Sequence, residues 1–300
     1  MLTLTSATAR VQIAAHGAEL TSFVNLATGL EYVWPADPAQ WARHAPLLFP
    51  IVGKLPEDTY LHNGQAYKLS QHGFARDQEF QLIHEEADNL VFQLMHSAVT
   101  QQVYPFEFEL RVSYTLRGSV LTVGWHVRNP AAADQDLLFS IGAHPAFNCP
   151  LGTEGGQFAD YFFEIGNPPQ PFERHLLKGG LRTGETQPVP LANNELTDDG
   201  EALPLTYDLF ADDALVFKSN DFSWIALRSN KFSNFVRMQF DGFPYLGLWT
   251  KGPGANFVCI EPWQGVASPV GPPQELRDKE GIMTLAPSQM FDCRYTIEVG

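Results

Sequence analysis

The chain is short of cysteine: Cys149, Cys259 and Cys293 are odd in number, far apart and without C-x-x-C spacing. That spacing suggests neither a disulfide framework nor a zinc site, and it fits a reducing, cytoplasmic compartment. Positive charge is also scarce. Nineteen Lys and Arg stand against 34 Asp and Glu, a formal net charge of −15. No Lys/Arg run offsets this, so polyphosphate backbones and anionic lipid surfaces are repelled, and neither a nucleic-acid nor a membrane partner is expected. A phosphorylated small molecule stays open, because one or two arginines inside a pocket outweigh carboxylates beyond a screening length of roughly 10 Å. Long apolar runs are missing as well: nothing approaches ~18 residues, and Met1–Ser6 has neither a charged n-region nor an apolar h-region.

The familiar site motifs are absent too. His84-Glu85-Glu86 has no second His at zincin spacing, and Gly252-Pro253-Gly254 does not complete a dinucleotide fingerprint. Gly53-Lys54 has no Gly five residues earlier, and there is no G-x-S-x-G. Metal hydrolysis, nucleotide binding and serine hydrolysis all lose support, and no metal or cofactor is expected.

What the chain does have is apolar and aromatic surface: 44% hydrophobic residues, with 22 Phe, 9 Tyr and 6 Trp, against 18% charged. That supplies one large core, so residues 1–300 are read as one domain. Period-two alternation is the strongest local signal. Phe106, Phe108, Leu110, Val112, Tyr114 and Leu116 share one face, with Glu107, Glu109, Arg111, Ser113 and Thr115 on the other. After a turn at Arg117-Gly118, Leu121, Val123, Trp125 and Val127 alternate with polar residues and complete a hairpin. Phe291 to Val299 alternates in the same way and predicts a C-terminal sheet strand. Shorter strands are predicted at 11–14, 90–95, 161–165, 214–218, 224–228, 235–240 and 257–260, separated by Gly, Pro, Asn and Asp. Asp37-Pro38 followed by 39–43 reads as a short capped helix. Residues 166–203, rich in Pro, Gly and polar residues, read as a long irregular excursion over one face. With no long 3.6-period stripe and no internal repeat, the fold class is all-β: a large antiparallel β-sandwich with minimal helix.

Candidate functional residues are polar groups set in apolar, turn-rich segments. Lys54 ends the run Leu47–Gly53, where it reads either as a strand end at the surface or as a site cation. In Gln71-His72-Gly73-Phe74-Ala75-Arg76, Gly73 permits an unusual turn that displays His72 and Arg76 together. His144 sits among small residues before Pro145, which confines it to extended backbone; a satisfied buried histidine is the competing reading. Glu261 ends the apolar run Phe257–Ile260, where desolvation raises a carboxyl toward useful base strength. Trp249 and Trp263 offer aromatic faces to the apolar C–H patch of a sugar, or simply pack.

Taken together, His-Gly-Phe-Ala-Arg at 72–76, Gly-Ala-His-Pro-Ala-Phe-Asn at 142–148 and Val-Cys-Ile-Glu-Pro-Trp at 258–263 resemble, in order, the aldose 1-epimerase (galactose mutarotase) superfamily. The likeness is greatest to its shorter bacterial, galactose mutarotase-related members. It implies the same large antiparallel sandwich, with His144 as general acid, Glu261 as general base and Arg76 as a sugar-binding arginine. It also implies an Asp on the sugar hydroxyls, assigned to Asp213 with Asp208 and Asp212 nearby. The expected reaction is exchange of hexose anomers: Glu261 takes the O1 proton, imidazolium His144 protonates O5, and the opened chain rotates and recloses. The His72 context is similar to that of hexose-6-phosphate epimerases. A hexose-6-phosphate 1-epimerase, with Arg76, Lys54 and His72 on the phosphate, is therefore the alternative, and a non-catalytic carbohydrate-binding or sensing module a further one.

Overall fold

The computed structural model describes residues 1–132, 135–152, 154–219 and 221–300. Two antiparallel sheets dominate it. One runs in the order 192–193, 201–204, 161–165, 224–229, 236–239, 290–299, 120–128, 109–117, 89–95, 81–85. The other runs 181–188, 173–178, 215–218, 245–249, 257–263, 142–143, 47–48, with 146–148 also paired to 257–263. The only α-helix among the described residues is the single turn Thr100–Val103. No helix among them is long and apolar enough to cross a membrane.

The alternation in the sequence becomes the pleat of the first sheet. Val120–Arg128 pairs with Glu109–Arg117 on one side and with the C-terminal strand Met290–Val299 on the other. Leu110, Val112, Tyr114 and Leu116 join Leu121, Val123, Trp125, Val127, Tyr295 and Ile297 in a hydrophobic cluster that also holds Leu215, Phe217, Leu246, Leu248, Val258 and Ile260 of the second sheet. The sheets therefore pack face to face, each fully buried aliphatic side chain contributing roughly 1.5–3 kcal/mol. Pairing starts at Glu109 rather than Phe106, yet Phe106 and Phe108 are buried all the same.

The second sheet departs from one-sided alternation. Every residue of Phe257–Trp263 is buried, which is why this strand reads as a continuous apolar run. Val258 and Ile260 face the inter-sheet core, while Phe257 and Cys259 pack with Trp34, Ala146 and Ala255 on the opposite face. Trp263, on that opposite face, packs with Leu48, Val52, Val216 and Tyr245. Period two places Glu261 on the same side as Cys259 and Trp263.

Two expectations are corrected. Residues 37–43 do not form a helix. Asp37 accepts from Gln40 N (3.0 Å) and Trp41 N (2.9 Å), so one turn begins. It stops because tertiary partners take the next groups: the Trp41 carbonyl accepts from Trp34 Nε1, and the amides of His44 and Ala45 donate to Glu19 Oε1. Residues 166–203 are not an irregular excursion either. Glu173–Lys178 and Leu181–Pro188 form a hairpin that joins the second sheet, and 192–193 with 201–204 add to the first. The hairpin strands are largely exposed and polar, so they carry little hydrophobic periodicity.

Candidate active site

A cavity of about 340 Å³ opens on the face of the second sheet that is turned away from the inter-sheet core, at the small end of the roughly 300–1,000 Å³ typical of ligand sites. Around it converge His72, Arg76, His144, Asp213, Trp249, Glu261 and Trp263. A wider cleft near Leu30, Pro150 and Phe232, of about 830 Å³, has one exposed and one half-buried carboxylate in its lining but no histidine or cation.

Glu261 is held on the strand Phe257–Trp263, paired to Gly247 on one side, and is 1% exposed. His144 stands between the short strands Gly142–Ala143 and Ala146–Asn148, both paired to the Glu261 strand. The two side chains are neighbours: His144 Nε2 lies 3.2 Å from Glu261 Oε2. The two atoms are out of line for a hydrogen bond, so Glu261 Oε2 is buried without a hydrogen-bond partner, and His144 Nδ1, on the other side of the ring, is likewise buried and unpartnered. Trp263 sets the floor. Its ring occupies the space that a Cβ on Gly142 or Gly247 would need, at 2.6 and 2.5 Å, and its Nε1 donates to Ala143 O at 3.2 Å. Only glycine fits opposite that ring.

His72 occupies the left-handed region (φ 68°), which a bulky residue adopts only when its surroundings compel it. Here the compulsion is mutual hydrogen bonding: His72 N donates to Gly53 O (3.0 Å), and Gly53 N donates to His72 Nδ1 (3.1 Å). Nδ1 is thereby an acceptor and Nε2 keeps the proton. Gly73 follows, also at positive φ, where a Cβ would lie 2.4 Å from Phe49 O. Arg76 donates from Nη2 to Gln71 O (2.7 Å), while its buried Nε has no partner. Asp213, at φ 112°, accepts from Ala214 N at 2.8 Å and lines the cavity; Asp208 and Asp212 do not, and Asp212 faces Arg174. Lys54 is not in the lining. It reaches behind the Gly179-Gly180 turn of the added hairpin and donates to Gly179 O at 3.0 Å.

Trp41 escaped the sequence reading. It stacks on His144 (centroids 4.9 Å, 27°) and meets Trp249 edge-on, while Trp249 and His72 also present near-perpendicular rings to the imidazole. No spacing in the sequence marks it, because it comes from the 37–45 turn that only tertiary contacts define. Leu177, Gly179, Gly180 and Val216, from the unexpected hairpin and its neighbour, complete one wall.

Burial governs the electrostatics. It pushes Glu261 well above the usual carboxyl range, helped by the negative charge of Asp213 and opposed by the nearby indole N–H of Trp263. It pushes His144 down to about 3, with Arg76 and Arg43 adding to the effect. His72 is held well below its ordinary value, by burial first and then by His144 and Arg76. Burial thus disfavours the charged form of both groups, carboxylate and imidazolium alike. The pairing of imidazolium with carboxylate expected from the sequence is the form that burial disfavours.

A buried cation lies under the cavity wall. Lys279, 2% exposed, donates to Val266 O, and Arg182 Nε donates to Ala267 O at 2.8 Å, fixing the segment whose Ala267 packs against Gly53. Burial, then Arg182, lowers Lys279 to about 7 from an ordinary 10.5. Between those values the unfolded chain binds more protons, so the lysine's cost to stability is fully present below pH 7 and is relieved as pH rises toward 10.5. Relative to Lys279→Met, the native chain should therefore gain stability from pH 7 to 10 in urea titrations. Parallel curves would show that the lysine keeps its ordinary titration.

With this geometry in hand, the comparisons are consistent. The chain belongs to the aldose 1-epimerase family, whose family model matches residues 1–283. The chromosomal LacX protein of Lactococcus lactis subsp. lactis is 34% identical over 300 residues, 96% of each chain. A galactose mutarotase related enzyme from Lactobacillus acidophilus superposes with a TM-score of 0.90 at 33% identity, covering 100% of this chain and 97% of its own. A galactose mutarotase-like protein from Lactobacillus casei gives 0.91 at 32%, with full coverage of both.

Proposed function

We propose that the chain is an aldose 1-epimerase that interconverts the α and β anomers of a free hexose, with residues 1–300 acting as one catalytic domain. The observation that carries this reading is the contact of His144 Nε2 with Glu261 Oε2, 3.2 Å apart in the lining of the cavity. Anomer exchange must move a proton off O1 and another onto O5, two oxygens on the same carbon, so neighbouring groups can serve both. Glu261 as carboxylate takes the O1 proton while His144 as imidazolium gives one to O5; reclosure after rotation about C1–C2 reverses both transfers. Opening the ring leaves the pair as neutral imidazole and protonated carboxyl, the form that burial favours. One proton thus cycles between the two groups through the sugar, each transfer worth roughly 10²–10⁴-fold. Arg76 Nε and Asp213 hold hydroxyls, and Trp41 and Trp249 cover the apolar face.

A neutral sugar is favoured over a hexose phosphate because Arg76 is the only cation in the described lining, Arg43 pairing with Asp77 at 2.8 Å and Lys54 with the Gly179 carbonyl outside it. His72 is held neutral. The test is the relative rate on galactose or glucose against their 6-phosphates; a faster rate on the phosphates would replace this reading with the hexose-6-phosphate one. The pH profile is a second check. The pair acquires a second proton only near the His144 value of about 3, and it loses its single proton above the raised Glu261 value. The rate constant should fall as pH rises through the raised Glu261 value and show no acid limb near neutrality, whereas an acid limb at an ordinary histidine value would contradict the one-proton pair.

A further inference from the structure

Glu261 shares its strand face with a sulfur donor. Cys259 precedes it by two residues, so the pleat turns its sulfur to the side of the carboxylate. The ligand atoms that His144, Cys259 and Glu261 offer lie within 4.8 Å of one another, and all three residues are buried. Metal–donor bonds of about 2.0–2.1 Å at tetrahedral angles separate nitrogen and oxygen donors by roughly 3.3 Å. The His144 Nε2 to Glu261 Oε2 separation is 3.2 Å. A second, independent sign is that Glu261 Oε2, on a side chain 1% exposed, points into this cluster without a hydrogen-bond partner. We propose that His144 Nε2, Cys259 Sγ and Glu261 Oε2 form a three-donor site for a thiophilic divalent cation, Zn²⁺ foremost, with its fourth position open to the cavity.

The donor set selects the ion. One sulfur, one imidazole nitrogen and one carboxylate oxygen suit Zn²⁺ and Co²⁺ and not the oxygen-seeking Mg²⁺ or Ca²⁺. Charge also closes: a thiolate and a carboxylate neutralise the dication, so the buried site carries no net charge once filled. The balance is simple substitution. Thiol and carboxyl each release a proton to solvent, four bonds form to the metal counting one water, and nothing is oxidised or reduced; binding therefore tightens as pH rises. Affinity is that of a reversible site, because His144 Nδ1 lacks the partner that normally orients a metal-bound imidazole. Resting on the proposed epimerase reading, the consequence is inhibition, since the ion occupies both atoms that move protons. No sequence spacing reveals such a site, because its donors come from two strand-linked segments 115 residues apart, at 144 and 259.

The test uses the full chain freed of metal. Titration with Co²⁺ should raise a thiolate-to-cobalt charge-transfer absorption in the near ultraviolet, displaced by Zn²⁺ and lost in Cys259→Ala. In parallel, Zn²⁺ should slow anomer exchange reversibly, with chelator restoring the rate. The half-inhibiting concentration should rise roughly tenfold or more in Cys259→Ala, each protein being compared with its own zinc-free rate. Should the alanine variant not fold, Cys259→Val, closer in volume to the thiol, takes its place. No absorption in the native chain, or a band that survives loss of Cys259 and so belongs to Cys149 or Cys293, would overturn the site. A Cys259-dependent band in a protein without epimerase activity would leave the metal site standing and remove the catalytic reading instead.

Discussion

Glu261→Gln should lower anomer exchange by roughly 10²–10⁴-fold while leaving the fold intact. The amide has nearly the shape of the protonated carboxyl that burial already favours at this position, so neither the strand pairing to Gly247 nor the packing of Trp263 is disturbed. It cannot take the O1 proton, and His144 is left without the partner with which it exchanges one. The folding arm of the prediction is checked by an unchanged or raised urea midpoint, since a buried ionisable group gives way to a neutral one. Residual activity near the native rate in a folded variant would remove Glu261 from the reaction.

Trp263→Ala should cost about 3–5 kcal/mol of stability, the range for removing a large aromatic side chain from a core. The indole fills the space left free by Gly142 and Gly247 and touches the strands on both sides of Glu261, so its loss leaves a void that backbone cannot close. It also frees the Ala143 carbonyl, one residue from His144. Turnover should fall in the same variant under conditions where it remains folded, because His144 and Glu261, the proposed acid and base, lose their common floor. A variant within about 1 kcal/mol of the native chain would mean that neighbouring side chains collapse into the space, as they do at the mildest sites.

Much of this was legible in the sequence wherever one face of a strand meets the core and the other meets solvent. The hairpin across Gly118 and the terminal strand Met290–Val299 are of that kind, and their alternation gave nearly the observed bounds. The strand of Glu261 is buried on both faces, so alternation vanishes there and its length was underestimated, ending at Ile260 rather than Trp263. The convergence of His144 with Glu261 was unreadable from composition, because it depends on which strands pair; only the resemblance of three ordered motifs put them in one site. Asp213 could not be separated from Asp208 and Asp212 by sequence, since the choice rests on an unusual backbone angle after a 3₁₀ turn that Thr206 caps. Trp41 was hidden by local propensity: Asp-Pro and the residues after it favour a helix, and the side chains of Glu19 and Trp34 override it. The hairpin 173–188 was hidden for the opposite reason, being too polar and exposed to show a strand pattern at all.

The most direct test of the account is polarimetry of freshly dissolved α-galactose and α-glucose, with and without the purified chain. Epimerase function predicts that at least one sugar reaches its anomeric equilibrium faster in proportion to protein concentration, with the acceleration lost in Glu261→Gln. Relaxation at the spontaneous rate for both sugars and for their 6-phosphates would contradict it and leave the cavity as a site that binds sugar without turning it over.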